Sequence, residues 1–365
     1  MRGRKEGQEL MLTLTTPESV VPQGHPIRPL KALVDEQLAS LNPVFEKMYS
    51  AEGRPSIPPE RLVKATLLMA LFSIRSERQL CEQVGYNLLF RYFLDMNLAE
   101  EPFTPTVFTK NRDRFLEHDL GGEFFKRVVD KARSQGLVSE EHFSVDGSLI
   151  EAWASMKSFR PKDKGPQGPV GGGSGNDPVN FRDQKHSNET HQSVTDPQAR
   201  LLRKGRGKEA KLCFALHTVT ENRHGLIVAN RFTPSVGTTE SKAAVDLIRH
   251  LKRRGFKPKS VGADKGYHTP TFVQGMRRLH AKPHAVPITG RKVAGLDERT
   301  LRHGNFLLSQ RKRKLIEQGF GWLKTVAGFR KTRYRGVEKN QLVAHFLTSA
   351  YNLVRMAKLL TPQPA

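Results

Sequence analysis

Cysteine is scarce in this chain. Cys81 and Cys213 are the two cysteines among its 365 residues, and neither belongs to a Cys-x-x-Cys pair. A disulfide framework or a cysteine-based zinc site needs more cysteines at closer spacing, so both classes are excluded. We expect the two thiols to be buried and to behave as small hydrophobic side chains.

Long apolar runs are also missing. No segment approaches the roughly 20 apolar residues that a membrane-spanning helix requires. The first ten residues, MRGRKEGQEL, carry charges and lack the apolar stretch of a secretory signal. We therefore expect a cytoplasmic protein with no membrane partner.

Acidic residues are few relative to basic ones. The chain has 60 Lys and Arg against 36 Asp and Glu, a formal net charge of +24. A field of this sign and size favours a polyanion as partner or substrate. Nucleic acid is the first candidate.

The first third of the chain has the pattern of a helical domain. We expect a flexible arm over residues 1–25 and helices over residues 26–138. Apolar residues recur at spacings of three and four after Pro58, and two shorter helical segments follow, which is typical of a helix-turn-helix-like module.

The segment TVFTKNRDRF, residues 106–115, is the candidate DNA-recognition helix. It carries Lys110, Arg112 and Arg114 beside two phenylalanines. The alternative is an ordinary surface helix whose charges are solvated, because basic helices are common in a chain this basic.

The periodicity changes to two near residue 140, which predicts a strand through Glu151. Residues 157–208 are rich in Gly, Pro and cations, and we expect a flexible basic loop there. The remaining pattern is hairpin, helix, strand, helix, strand and two long helices. This order predicts an α/β domain over residues 139–360, with the mixed sheet and flanking helices of a ribonuclease-H-like layout.

Three carboxylates from separate elements could hold the two divalent ions that phosphodiester chemistry uses. Asp146 lies inside the first strand and is followed by the small residues Gly147 and Ser148; an acid in a strand is costly to bury unless it binds a partner. Asp264 ends the strand SVGA, at the strand end where α/β sheets bind ligands. A turn-forming Asp is the alternative at position 264.

The third candidate, Glu317, lies on a predicted helix. At 100° per residue, Arg313 and Lys324 fall within about 40° of it, so a carboxylate and two cations share one face. The alternative is a solvated i,i+4 ion pair worth a few tenths of a kcal/mol.

Other residues fit these roles less well. Glu151 points to the opposite face of the strand from Asp146, and Glu240 suits the first turn of a helix. Asp297 and Glu298 are rival third carboxylates in a polar stretch without a cationic stripe. We expect Trp153 and Trp322 to pack beside the site rather than to stack on bases.

Three segments together resemble a known family. DGSLIEAWASMKS, ADKGYHT and RKRKLIEQGFGWLKT are similar to the catalytic blocks of DDE transposases from bacterial insertion sequences, in the group called insertion sequence five. The third block of that superfamily often follows a Tyr-x2-Arg-x3-Glu-x6-Lys pattern. Arg313, Glu317 and Lys324 match its spacing, whereas Gln310 stands at the Tyr position.

The resemblance implies a function and its residues. Asp146, Asp264 and Glu317 would bind Mg²⁺, for which Mn²⁺ can substitute, and Arg313 and Lys324 would contact DNA at the transposon ends. The enzyme would bind terminal inverted repeats, cleave DNA and transfer strands, as a homodimer or larger assembly near the nucleoid. The alternatives are a nuclease of the same fold without strand transfer and a non-catalytic DNA-binding regulator.

Overall fold

The computed structural model describes residues 15–50, 52, 56–162, 180–181, 184–185, 187–203, 209–236, 239–302 and 304–361. Within these ranges, no helix is both long and apolar enough to cross a membrane.

Eight helices form the first part of the fold. Side-chain caps set several of their starts: Ser76 accepts a hydrogen bond from the backbone N–H of Gln79, and Asn87 accepts one from that of Phe90. The short helices expected between residues 58 and 96 are present. The bounds are α1 Pro17–Val20, α2 Ile27–Ala39, α3 Asn42–Met48, α4 Pro59–Leu71, α5 Glu77–Tyr86, α6 Leu88–Phe93, α7 Thr106–Glu117 and α8 Leu120–Ser134.

The end of the expected flexible arm is folded. Thr16 and Ser19 form a capping box at the start of α1. The guanidinium of Arg28 donates hydrogen bonds to the carbonyls of Glu18, Val21 and Pro22 and so ties α1 to α2. The prediction of a loose arm is therefore wrong from residue 15 to residue 25, and its first 14 residues lie outside the described part of the chain.

A six-stranded mixed sheet forms the second part of the fold. Its main path runs β10-β9-β1-β7-β6, and β8 also pairs with β7. The strand β1 is antiparallel to β7 and parallel to β9. The strands are β1 His142–Glu151, β2 Phe159–Pro161, β3 Asn180–Phe181, β4 Gln184–Lys185, β5 His191–Ser193, β6 Arg200–Arg203, β7 Ala210–Glu221, β8 Ile227–Pro234, β9 Ser260–Ala263 and β10 Lys282–Ala285.

An antiparallel meander of β1, β7 and β8 is thus continued by the parallel strands β9 and β10, with helices on the sheet. This is the ribonuclease-H-like arrangement expected from the sequence. The helices of this part are α9 Thr239–Arg253, α10 Pro270–Arg278, α11 Glu298–Arg302, α12 Gly304–Thr325 and α13 Val337–Leu360.

Much of the expected flexible loop is ordered. β2 pairs with β5, and β6 forms an edge of the main sheet against β7. Asp196 and Gln198 accept hydrogen bonds from the backbone N–H groups of Gly336 and Val337 at the start of α13. Strand pairing and these caps satisfy polar groups that composition alone left without partners. Residues 163–179, 182–183, 186 and 204–208 of that loop lie outside the described residues.

One apolar core joins the two parts. The helix α13 packs against α2, α4, α7 and α8 as well as against β8 and α12. Its buried residues include Phe346, which contacts the rings of Phe115 and Phe124. The helical part and the sheet therefore share α13.

Candidate active site

The sheet places Asp146 and Asp264 side by side. In the parallel pairing of β1 and β9, Ser144 lies opposite Gly262, and the two aspartates each follow two residues later. Neighbouring strands are about 4.8 Å apart, and residues two apart share a face. A Cβ on Gly262 would lie 2.8 Å from Oγ of Ser309 on α12, so the shared face is the one that α12 covers.

Asp146 is a carboxyl group whose surroundings disfavour its charged form. Its Oδ1 accepts a hydrogen bond of 2.8 Å from the backbone N–H of Gly147. Burial, followed by repulsion from Asp264 and Glu240, raises the pKa of Asp146 to about 6, against the opposing effects of this hydrogen bond and of Arg313. A cation beside it would relieve this unfavourable charge.

Asp264 caps a turn at the end of β9. Its Oδ1 accepts a hydrogen bond of 2.9 Å from the backbone N–H of Gly266, which starts the 3₁₀ turn Lys265–Tyr267. Tyr267 is buried behind the acids. Burial, followed by the charges of Asp146, Glu240 and Asp264, raises the pKa of the Tyr267 phenol well above its usual value.

Glu317 lies on α12, one turn after Arg313, and points to solvent. Its side chain is 62% exposed, and its Oε1 lies 3.8 Å from Nη1 of Arg313 one turn earlier on α12. Arg313 is 20% exposed and also acts on Asp146. Arg313 thus links the third candidate acid to the first.

Gln310, which stands at the tyrosine position of the motif, contacts the sheet. Its Nε2 donates hydrogen bonds to the carbonyl oxygens of His284, at 2.6 Å, and Ala263, at 3.3 Å. These carbonyls lie near the ends of β10 and β9. The amide therefore clamps α12 to the sheet edge where Asp264 emerges.

Glu240 is the acid that the sequence analysis set aside. It lies in the first turn of α9, and partial burial followed by repulsion from Asp264 raises its pKa. A Cβ on Gly147 would lie 3.1 Å from Oε1 of Glu240 and 3.2 Å from Nδ1 of His217. The signal available in the sequence was Gly147 itself, because a glycine inside a strand marks a close approach.

Two family models match the chain. The Transposase domain (DUF772) matches residues 16–114, and the Transposase DDE domain matches residues 186–353.

The chain belongs to the DDE-type transposases of insertion sequences.

Two solved structures also match this transposase. They are "Mos1 transposase paired-end complex with left transposon end", at 13% identity over 79% of this chain and 83% of that chain, and "Crystal structure of a pre-cleavage Mos1 transpososome", at 13% identity over 85% and 82%. Their TM-scores are 0.21 and 0.20. No curated protein sequence matches the chain significantly.

The aspartates offer the transposase hard oxygen donors, the type that Mg²⁺ and Mn²⁺ prefer. The DDE family uses divalent metal ions. In the described part of the chain, no three His, Cys, Asp or Glu side chains lie close enough to hold a metal ion together. The donor chemistry of the two aspartates fits a divalent ion.

The expected recognition helix of the transposase is a packed helix. On α7, Arg112 donates a hydrogen bond to Glu77 and stacks over the ring of Tyr334, 4.0 Å from its centroid. Arg114 lies over the ring of Tyr49 at 4.9 Å. Lys110 is exposed. Arg112 thus connects the helical part to the segment after α12, whereas Arg114, like Lys110, is exposed.

Lys324 and Trp153 lie near the Glu151 end of β1. Lys324 acts electrostatically on Cys213, which lies opposite Glu151 across β1 and β7. Burial raises the pKa of the Cys213 thiol to about 11, as expected for an unreactive cysteine. Trp153 is 57% exposed, whereas Trp322 packs against Tyr351, so the expectation of packing was wrong for Trp153.

Proposed function

We propose that this transposase binds the terminal inverted repeats of its insertion sequence, cleaves DNA at the element ends and joins the 3′ hydroxyls to target DNA. Asp146, Asp264 and Glu317 would hold the two Mg²⁺ ions, which stabilise the attacking and leaving oxygens when bound. The single observation that carries the proposal is the register of β1 and β9, which sets two carboxylates next to each other on the face under α12.

Releasing Glu317 from Arg313 costs little energy. Its contact with Arg313 is 3.8 Å long and half open to solvent, and exposed ion pairs of this kind contribute under about 1 kcal/mol. A DNA phosphate beside Arg313 would compete for that guanidinium, since Arg binds phosphate oxygens in bidentate fashion. Releasing Glu317 then leaves its carboxylate available to a metal ion.

Glu240 is the second candidate for the third carboxylate. It acts on Asp264 and Asp146 from the face of the sheet opposite to α12. Unlike Glu317, it forms no ion pair with another described residue.

Carboxylate-to-amide variants decide the ligand set. Asp146→Asn, Asp264→Asn and Glu317→Gln should each reduce Mg²⁺-dependent cleavage by about a thousandfold or more, because a lost metal contact costs several kcal/mol of transition-state stabilisation. Binding to the element end should persist in all three. The measurement is cleavage of a labelled transposon-end duplex, with binding followed separately in the absence of divalent ions.

Glu298→Gln is the matched control, because this acid is 77% exposed on α11 and paired only with Arg302 in the described structure. It should cut like the wild type. If Glu317→Gln also cuts normally and Glu240→Gln does not, the third ligand is Glu240. Transfer of precut ends to a target plasmid separates a transposase from a nuclease of the same fold, and a regulator would show no metal-dependent nicking.

Synapsis of two ends requires two active sites, so we propose a homodimer or larger assembly on DNA. Lys110, Arg112, Arg114 and Lys324 remain candidate phosphate ligands beside Arg313. Their replacement by Ala should weaken end binding and reduce its salt dependence by about one unit of log-log slope per lost phosphate contact.

A further inference from the structure

Trp153 is an exposed aromatic side chain on a rigid support. Its backbone N–H donates a hydrogen bond of 2.8 Å to Oγ1 of Thr332, directly after β1 ends. Glu151 exchanges backbone hydrogen bonds with Arg330 and Thr332 on the segment that follows α12. An indole held in solvent by an ordered backbone leaves apolar area unburied, and such area commonly marks a binding surface.

Trp153 forms one wall of a basic groove. The groove has a volume of ≈ 450 Å³ between the segment after α12 and the start of α5. Arg75, Arg330 and Lys331 line it and are exposed. Nζ of Lys331 lies 5.9 Å from the centroid of the Trp153 ring.

The acids at this groove are already engaged by cations. Glu77 accepts hydrogen bonds from Arg112 and from the hydroxyl of Tyr334. Glu151 pairs with Lys331 at 3.6 Å and with Lys211 at 3.4 Å. The groove therefore keeps a positive balance beside its exposed indole, the combination that binds single-stranded nucleic acid.

The groove begins two residues beyond the end of β1, the strand that carries Asp146. Asp146 and Glu151 are five residues apart on β1, about 17 Å at the rise of a β-strand. A duplex strand rises 3.4 Å per nucleotide, so the path from Asp146 to the groove spans at least about five nucleotides. Lys324 lies near the Glu151 end of that path.

We propose that the groove binds an unpaired nucleotide of the DNA strand whose phosphodiester lies at Asp146 and Asp264. A base stacks on Trp153, while Arg75, Arg330 and Lys331 hold the adjoining phosphates. The site rests on the proposed function and extends it, because it names which part of the DNA substrate is read there. Stacking recognises any base through its π-face, so the groove selects for unpaired structure rather than for sequence.

The test compares two DNA probes on the full-length protein in metal-free buffer. One probe is a blunt duplex, and the other is the same duplex with a single-stranded extension that contains 2-aminopurine. Trp153→Ala should weaken binding of the extended probe by about tenfold and leave the blunt probe unchanged, since one base stack is lost. Trp153→Phe should retain most of the affinity and of the 2-aminopurine quenching.

Two matched controls accompany these variants. Trp322→Phe changes the packed tryptophan, and Arg302→Ala removes an exposed cation on α11; both should bind the two probes like the wild type. Arg330→Ala with Lys331→Ala should make the salt dependence of extended-probe binding shallower.

The proposal is overturned if the wild type and Trp153→Ala bind the extended probe with equal affinity. It is also overturned if Trp153→Phe loses the same amount of affinity for both probes. Because no metal is present, the result is independent of catalysis. If the wild type cuts DNA and Trp153→Ala binds the extended probe normally, only the groove proposal is refuted. If the wild type never cuts DNA but Trp153→Ala binds the extended probe more weakly, only the proposed function is refuted.

Discussion

At the scale of single residues, the charge of Asp146 lowers the stability of the metal-free fold. Its pKa of about 6 in the folded chain exceeds the ordinary value of 3.8, so the folded state binds the proton more tightly. Stability contributed by the protonated form is complete below about pH 4 and is lost as pH rises through about 6. Ionised Asp146 thus destabilises the metal-free protein at neutral pH.

We predict that Asp146→Asn stabilises the metal-free protein above pH 7 by up to about 3 kcal/mol, since one pKa unit corresponds to 1.36 kcal/mol. The gain should disappear near pH 4. Urea unfolding at several pH values measures it. Adding Mg²⁺ should stabilise the wild type and leave the variant unchanged; parallel pH profiles for the two proteins would contradict this account.

At the scale of elements, the contact between α12 and β9 positions the site. Gly262 allows close approach, because a Cβ there would lie 2.8 Å from Oγ of Ser309 and 3.3 Å from Oγ of Ser144. The Ser309 hydroxyl is buried and finds no hydrogen-bond partner among the described residues. One turn later, α12 carries Arg313 beside Asp146.

We predict that Gly262→Ala lowers the free energy of unfolding by about 1–3 kcal/mol, as overpacking does, and slows cleavage by displacing α12. Ser309→Ala removes the clashing atom and a buried hydroxyl without a partner, so alone it should be neutral or slightly stabilising. The double variant should recover most of the loss in both unfolding and cleavage assays. A double variant as unstable as Gly262→Ala would show that the strain lies in the backbone.

At the scale of the whole molecule, α13 makes the two parts interdependent. It supplies buried side chains to the helices before β1 and to the sheet after it. The Glu77, Arg112 and Tyr334 contacts add a polar link between the same parts. Cutting the chain at residue 138 would expose the surface on α2, α4, α7 and α8 that α13 covers.

We predict that the intact chain unfolds in one transition, whereas a fragment of residues 26–138 retains helical circular dichroism but binds a hydrophobic dye and lacks a cooperative melt. Supplying the α13 sequence as a peptide should restore part of the cooperativity. A fragment that melts cooperatively and leaves the dye unbound would establish an independent helical domain.

The sequence by itself was enough for the features that depend on local pattern. Period-two alternation located β1 and placed Asp146 within it, and period-3.6 stripes located α4, α9, α12 and α13. The three catalytic blocks identified the family, which the family models confirm. Side-chain periodicity and strand ends are local properties, so one chain without coordinates displays them.

Only the tertiary structure decided which residues meet across elements. Glu240 joins the acids because α9 begins over Gly147, and Arg112 is engaged because Tyr334 arrives from a distant segment. Trp153 is exposed because the segment after α12 pairs with the end of β1 and leaves the ring outside. Such contacts depend on long-range packing, because the position of each partner is set by elements far away in sequence. A local sequence pattern does not show which of these elements will meet.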